Sequence, residues 1–163
     1  MLHRPDYVFN SIADIPLDFF AKEGIRALIL DLDNTLTTHN NPVPDGERYN
    51  WFKAAKESGL KMIIVSNNHP ERVKPFAEFL GLDFVPEGRK PLPFGFNEAC
   101  RRIGLPKASI AAVGDQIFTD VMGCKLSGIR SIFVFPILPE TGFWFRVKRT
   151  LEKPLLPKKP SKE

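Results

Sequence analysis

"ALILDLDNTLTTHN", residues 27–40, runs four apolar residues into two carboxylates, Asp31 and Asp33, two positions apart and therefore on one face of an extended chain. The short apolar run bounded by polar residues predicts a strand over 26–33. Two like charges at a strand end are costly to hold side by side unless a cation lies near them. A calcium loop also opens D-x-D, but here its sixth position is Leu36 where Gly is required and its twelfth is Pro42 where Glu is required. The pair therefore belongs to some other cation chemistry.

Four further apolar runs repeat the pattern: "KMIIVSN" (61–67), "DFVPE" (83–87), "SIAAVGD" (109–115) and "SIFVFP" (131–136). They are hydrophobic almost throughout, as strands covered on both faces are. Helical patterns lie between them, in "DGERYNWFKAAKESG", "HPERVKPFAEFLG", "LPFGFNEACRRIG" and "TDVMGCKLSG". Alternating strands and helices predict a three-layer, Rossmann-like α/β domain with a central parallel sheet and a ligand site beyond the carboxyl ends of the strands. Residues 1–24 are expected as an arm or helix packed on the core, because Ile12, Ile15, Phe19 and Phe20 need burial. The catalytic domain is expected over 25–139 and an aromatic, basic tail over 140–163.

The strand ends carry a coherent polar set: Asp31 and Asp33, then Ser66 with Asn67 and Asn68, then Asp115 followed by Thr119 and Asp120, with Lys90 in the loop after the third run. Phosphoryl transfer needs such a set, because negative charge must be neutralised and nucleophile and leaving group held in line. Mg2+ takes hard oxygen ligands, which Asp31, Asp115 and a backbone carbonyl near Asp33 can supply. Asp31 is then the candidate nucleophile, Asp33 the proton shuttle, and Ser66 and Lys90 the grip on phosphate oxygens. Taken singly, several of these residues have plainer roles. Asn67 and Asn68 can start the next helix, although one is placed to lean toward substrate, and Thr119 or Asp120 can cap the helix that follows. Asn34 and Thr35 are expected to shape the turn. His39 and His69 lack partners at metal spacing and are expected as loop residues.

Together, "DLDNT", Ser66 after "MIIV", Lys90 in "GRKP" and "GDQIFTD" resemble, in order, the four motifs of the haloacid dehalogenase-like (HAD) phosphatases, over roughly residues 25–136. The resemblance implies Asp31 as nucleophile, Asp33 as acid and base, Ser66, Asn67 and Lys90 at the phosphate, and Asp31, Asp33, Asp115 and Asp120 around Mg2+. Many such enzymes insert a cap domain. Here Asp33 to Ser66 spans 33 positions and Ser66 to Lys90 spans 24, enough for one crossover unit each. No large cap and an open crevice are expected.

The chain has 163 residues and a net charge of +4, yet 146–163 alone carries net +5, leaving −1 for the rest. Basicity thus belongs to the tail, where Phe143, Trp144 and Phe145 precede Arg146, Lys148 and Arg149. Rings beside cations suit the surface of an anionic bilayer. The alternative is a helix that packs its aromatics on the domain and leaves the basic end in solvent. No nucleic-acid recognition motif is present. Two cysteines, Cys100 and Cys124, encode no disulfide framework. The first residues lack the pattern of a secretory signal, so a cytoplasmic protein, peripheral on a membrane surface, is expected.

The capless length, the "GRKP" loop and the "TGFWFRVKRTLEK" tail also resemble one HAD subgroup, the bacterial and mitochondrial phosphatidylglycerophosphate phosphatases. That resemblance implies an anionic phospholipid monoester as substrate. A soluble-metabolite phosphatase with its site covered by a second subunit, and a non-catalytic adaptor, remain as alternatives. On the lipid reading, truncation after Pro139 is expected to weaken vesicle binding and spare turnover of a small ester.

Overall fold

A computed structural model describes residues 1–38, 41, 43–138 and 142–161. The reading of His39 and the boundary drawn at 139/140 lie outside these residues.

Six strands form one parallel sheet: β1 (Tyr7–Phe9), β2 (Ala27–Leu30), β3 (Lys61–Val65), β4 (Asp83–Val85), β5 (Ile110–Gly114) and β6 (Arg130–Val134), in the order β1-β6-β5-β2-β3-β4. Six helices connect or flank them: α1 (Leu17–Lys22), α2 (Gly46–Glu57), α3 (Pro70–Leu80), α4 (Phe94–Ile103), α5 (Met122–Ser127) and α6 (Phe143–Glu152). The hydrophobic runs are continuous because successive residues of one strand enter different layers. Leu28 and Leu30 face Trp51 and Phe52 of α2 and Phe76 of α3, whereas Ala27 and Ile29 face Phe96 and Ala99 of α4 and Cys124 of α5. This is the expected three-layer α/β architecture, and among the described residues between Asp33 and Ser66 the chain runs through α2 into β3.

Two differences stand out. Ile12, Ile15 and Phe20 are buried in the core, with the Trp51 indole donating to the Ile15 carbonyl at 2.9 Å, but the N-terminal segment also adds an edge strand, β1, that pairs with β6. Tyr7–Phe9 is too short to show a period of its own, and β6 makes it a strand. Secondly, β2 stops at Leu30. Asp31 still donates its N–H to Val113 at 2.9 Å, and beyond it the chain turns through Asn34, which adopts a left-handed φ of 60°. The turn closes with the Asn34 N–H on the Thr37 carbonyl at 2.7 Å. The carboxylates therefore stand on a loop beyond the sheet, where backbone can bend toward a ligand.

Candidate active site

The carboxyl ends of β2, β3 and β5 bring the predicted residues together. Lys90 Nζ lies 2.6 Å from Asp31 Oδ1 and 2.6 Å from Asp120 Oδ1. Asp31, Asp115 and Asp120 each offer an oxygen within 4.8 Å of the others. The Thr35 hydroxyl is placed to donate to Asp31 Oδ2 at 3.2 Å or Asp115 Oδ1 at 3.3 Å, so it joins the carboxylates instead of merely shaping the turn. Hard carboxylate oxygens, converging in a buried place with no sulfur or nitrogen donor among them, fit a divalent cation of the magnesium kind.

Local backbone explains the convergence. Asp115 follows the last residue of β5, and a π-helical turn, Ile117–Val121, swings Asp120 back over the strand end. The Asp120 carboxylate rests against Gly114: a Cβ there would sit 2.3 Å from Asp120 Cγ. Glycine before Asp115 is thus a packing requirement. Asp120 caps no helix, and neither does Thr119; the Asp120 carboxylate instead accepts the Gln116 N–H at 3.1 Å. Similarly, α3 starts at His69 without a side-chain cap, so neither Asn67 nor Asn68 serves there. Asn67 brackets the Lys90 loop, accepting the Lys90 N–H at 2.7 Å and donating to its carbonyl at 3.1 Å. One N–H of its amide is left over, and Asn67 also lines the site pocket. The Ser66 hydroxyl accepts the Asn68 N–H at 3.1 Å, which leaves its own proton for another acceptor.

Asp33 is placed differently from the other acids. Its carboxylate accepts from Arg72 Nη2 at 2.7 Å and from the Asn68 amide, and it is not in the three-carboxylate cluster. The Asp33 side chain, expected at the metal, is thus not among the three carboxylates that converge. Arg72, in the first turn of α3, carried no sequence signal.

Electrostatics follow from burial. Desolvation pushes the Asp115 carboxyl well up, Asp31 adds to the effect and Arg149 opposes it. Asp120 moves up in the same way, with Lys90 opposing. Burial works against the Lys90 ammonium, yet Asp120 and Asp31 outweigh it and hold its pKa above the ordinary lysine value. Such a cluster favours added positive charge.

The tail corrects one of its two sequence expectations, the helix that packs its aromatics on the domain and leaves its basic end in solvent. Phe145, Lys148, Arg149 and Glu152 follow the i, i+3, i+4, i+7 spacing of one helix face, and that face meets the site. Arg149 reaches Asp115 Oδ2 at 2.5 Å and the Asp115 carbonyl at 2.7 Å, and pairs with Glu152 at 3.2 Å. Glu152, fully buried, also accepts the Phe118 N–H at 2.9 Å. Phe143 and Trp144 face outward instead, 73% and 79% exposed. Beyond α6, Leu155 and Leu156 pack beside Ile117, Val121 and Phe133. The crevice is consequently a walled pocket of about 220 Å³, with Phe145 and Lys148 joining Asp31, Asp33, Ser66 and Lys90 in its lining. Truncation after Pro139 would take Arg149 away from the buried Asp115, so in this geometry small-ester turnover is expected to fall with it. Hollows of about 340 and 390 Å³ flank the amino ends of β3 and β4, where no carboxylate cluster lies among the described residues.

Comparison with known proteins agrees with this architecture. The model of the haloacid dehalogenase-like hydrolases matches residues 44–128, and a model described as mitochondrial PGP phosphatase matches residues 1–74. The Bacillus subtilis (strain 168) protein named "Probable phosphatase YqeG" is 38% identical over 152 residues, which is 93% of this chain and 88% of that one. Among solved structures, a 4-nitrophenylphosphatase from Thermotoga maritima superposes with a TM-score of 0.59 at 15% identity, covering 85% of this chain and 93% of that one. A D,D-heptose 1.7-bisphosphate phosphatase from B. bronchiseptica, complexed with magnesium and phosphate, gives 0.55 at 15%, covering 67% and 80%. These two likenesses concern the fold alone. With its family model spanning half the chain and a relative aligned along nearly all of it, the chain belongs to the haloacid dehalogenase-like hydrolases and is a phosphatase of that family.

Proposed function

We propose that the protein is a magnesium-dependent phosphomonoester hydrolase that works through an aspartyl-phosphate on Asp31, and that its substrate is phosphatidylglycerophosphate. The observation that carries the reaction is the Lys90 ammonium at 2.6 Å from both Asp31 and Asp120, in a pocket that also holds Asp33 and Ser66. An Asp31 oxygen attacks phosphorus, the ester P–O bond breaks, and the leaving oxygen takes a proton from Asp33. Water then attacks the aspartyl-phosphate, gives its proton to Asp33 and releases inorganic phosphate. Lys90 and the Ser66 hydroxyl hold the phosphoryl oxygens, and Asn67 fixes the Lys90 backbone. Mg2+ bound by Asp31, Asp115 and Asp120 supplies the positive charge that lets a carboxylate approach a phosphate. Arg149 meets Asp115 at Oδ2, whereas Asp115 Oδ1 lies 3.3 Å from the Thr35 hydroxyl.

For the lipid, support comes from the PGP phosphatase model that matches 1–74 and from the outward aromatic face of α6 within a basic tail. Peripheral membrane contact would present the headgroup to the pocket. No helix among the described residues is long and apolar enough to cross a membrane. The test is phosphate release from phosphatidylglycerophosphate in mixed micelles. Release that needs Mg2+ and is lost in Asp31→Asn is expected; release from aryl phosphates but not from the lipid would reject the lipid and keep the mechanism.

A further inference from the structure

Most cations lining or bordering the pocket already hold a carboxylate. Lys90 has Asp31 and Asp120, Arg149 has Asp115 and Glu152, and Arg72 has Asp33. Lys148 differs. It is half-buried, lines the same pocket as Asp31 and Lys90, and among the described residues its hydrogen-bond partner is a neutral one, the Gln116 carbonyl oxygen at 2.5 Å. An ammonium has three donors, so this contact leaves donors to spend on a ligand.

Its place is built, not incidental. At the next position of α6, Arg149 ties the helix to Asp115 and to the buried Glu152, whose other oxygen accepts the Phe118 N–H. A buried carboxylate is tolerated only with such partners, so this clamp fixes the turn of helix that carries Lys148. Gln116, which Lys148 touches, also accepts the Thr119 hydroxyl at 3.1 Å, and both Gln116 and Thr119 line the pocket. At about 220 Å³ the pocket is smaller than the roughly 300–1,000 Å³ of drug-sized sites. A phosphoryl group and the next few atoms enter, and the remainder of the substrate stays outside.

We propose that Lys148 is a specificity-determining residue: it takes a second phosphate anion, carried by the substrate a few bonds from the phosphomonoester that Asp31 attacks. This rests on the phosphatase reading of the site and extends it to the substrate class, a phosphomonoester that bears a neighbouring phosphodiester or phosphate. The α6 wall thereby does what an inserted cap would do, choosing the substrate by what lies beyond its reacting phosphate. Charge-assisted contacts of this kind discriminate strongly against a ligand that lacks the partner anion.

The experiment compares kcat/KM for phenyl phosphate, which has one anionic group, with glycerophosphoglycerol phosphate, the soluble deacylated headgroup, and with phosphatidylglycerophosphate in mixed micelles. Each is measured for the wild-type protein, Lys148→Met, Lys148→Gln and Lys148→Arg, with thermal unfolding as the check on folding. The wild type is expected to prefer both doubly anionic substrates. Lys148→Met and Lys148→Gln should lower that preference about ten- to a hundredfold, chiefly through KM, and Lys148→Arg should restore most of it. An equal fall on all three substrates, no fall on any, or a wild type that prefers phenyl phosphate to both others overturns the proposal. The lipid assignment is read separately. Preference for the deacylated headgroup with poor use of the micellar lipid would reject the lipid and keep Lys148 in its role, whereas no Asp31-dependent release from any substrate would remove both.

Discussion

Asp31 and Asp33 have the same side chain two positions apart, and in the proposed mechanism their surroundings divide the work. Asp31 Oδ1 meets Lys90 at 2.6 Å and Oδ2 meets the Thr35 hydroxyl at 3.2 Å, among the metal-ligand candidates. Asp33 is held on both oxygens, by Arg72 and Asn68, as a group that must keep one orientation while its proton comes and goes. A general acid matters most where the leaving oxygen is a poor one. In Asp33→Asn, kcat/KM for an alkyl phosphomonoester should therefore fall by about 10²–10⁴, and that for 4-nitrophenyl phosphate, whose leaving group departs without a proton, by much less. Equal losses on the two esters would assign Asp33 to binding instead of proton transfer.

At the scale of elements, α6 depends on one side chain. Arg149 serves two carboxylates that are both fully buried, Asp115 and Glu152. Removing one partner of a buried pair costs about 3–5 kcal/mol where the orphan stays in place. Arg149→Met should either lower stability by about that much in denaturant titration or release α6, in which case trypsin cuts rapidly at Arg146 and Lys148. Adding Glu152→Gln should recover part of the loss, since one orphan charge is gone; unchanged stability and protease protection would show that the clamp holds nothing. At the other end of the chain, Asp6 anchors the segment leading into β1, accepting from the Ser131 N–H at 2.8 Å and pairing with Lys125 at 2.5 Å. Although burial opposes it, Lys125 and Ser131 leave the Asp6 pKa below its ordinary value. The stabilisation is then fully present above about pH 4 and is lost as pH falls through the lowered pKa. Asp6→Asn should be destabilising at pH 7, by roughly 1–2 kcal/mol, with the gap to wild type closing in acid; a gap independent of pH would assign the effect to packing. These elements also mark where the sequence was legible. β2, β3, β5 and β6 announce themselves because each is an apolar run covered on both faces, and the polar ends of β2, β3 and β5 bring three of the four motifs with them; the fourth, Lys90, lies in the loop after β4. β1 has three half-buried residues and exists through its pairing with β6. The facing of α6 was hidden because aromatic and basic residues mixed on one helix suit either orientation. Two buried partners distant in sequence, Asp115 and the Phe118 N–H, decide it, although the spacing of Phe145, Lys148, Arg149 and Glu152 was there to be counted.

On the whole molecule, the inward turn of the charged α6 stripe has an outward consequence. Phe143, Trp144 and Leu151, 73%, 79% and 61% exposed, form an apolar face that no other described element covers. It borders the wall of the pocket and belongs to a stretch, residues 143–163, of net charge +5, while the rest of the chain is close to neutral. Rings that enter the headgroup layer and cations that meet anionic lipid reinforce one another, each basic group near the surface contributing about 1 kcal/mol. On the proposed lipid reading, docking through this face would set the pocket beside the bilayer, where a lipid headgroup could enter while its acyl chains stay in place. The protein should therefore bind vesicles containing phosphatidylglycerol and not vesicles of phosphatidylcholine alone, with a blue shift in tryptophan emission from Trp144; Trp51, 7% exposed, stays in the core and contributes a constant background. Phe143→Ser with Trp144→Ser should weaken vesicle binding by about tenfold or more and reduce turnover of micellar lipid, yet leave hydrolysis of phenyl phosphate close to wild type, because neither ring lines the pocket. Added salt should weaken binding of the wild type and of the double variant alike, since the cations remain in both. Vesicle affinity that survives the double substitution would place the membrane contact elsewhere on the molecule, and affinity indifferent to lipid charge would leave the basic tail without a part in it.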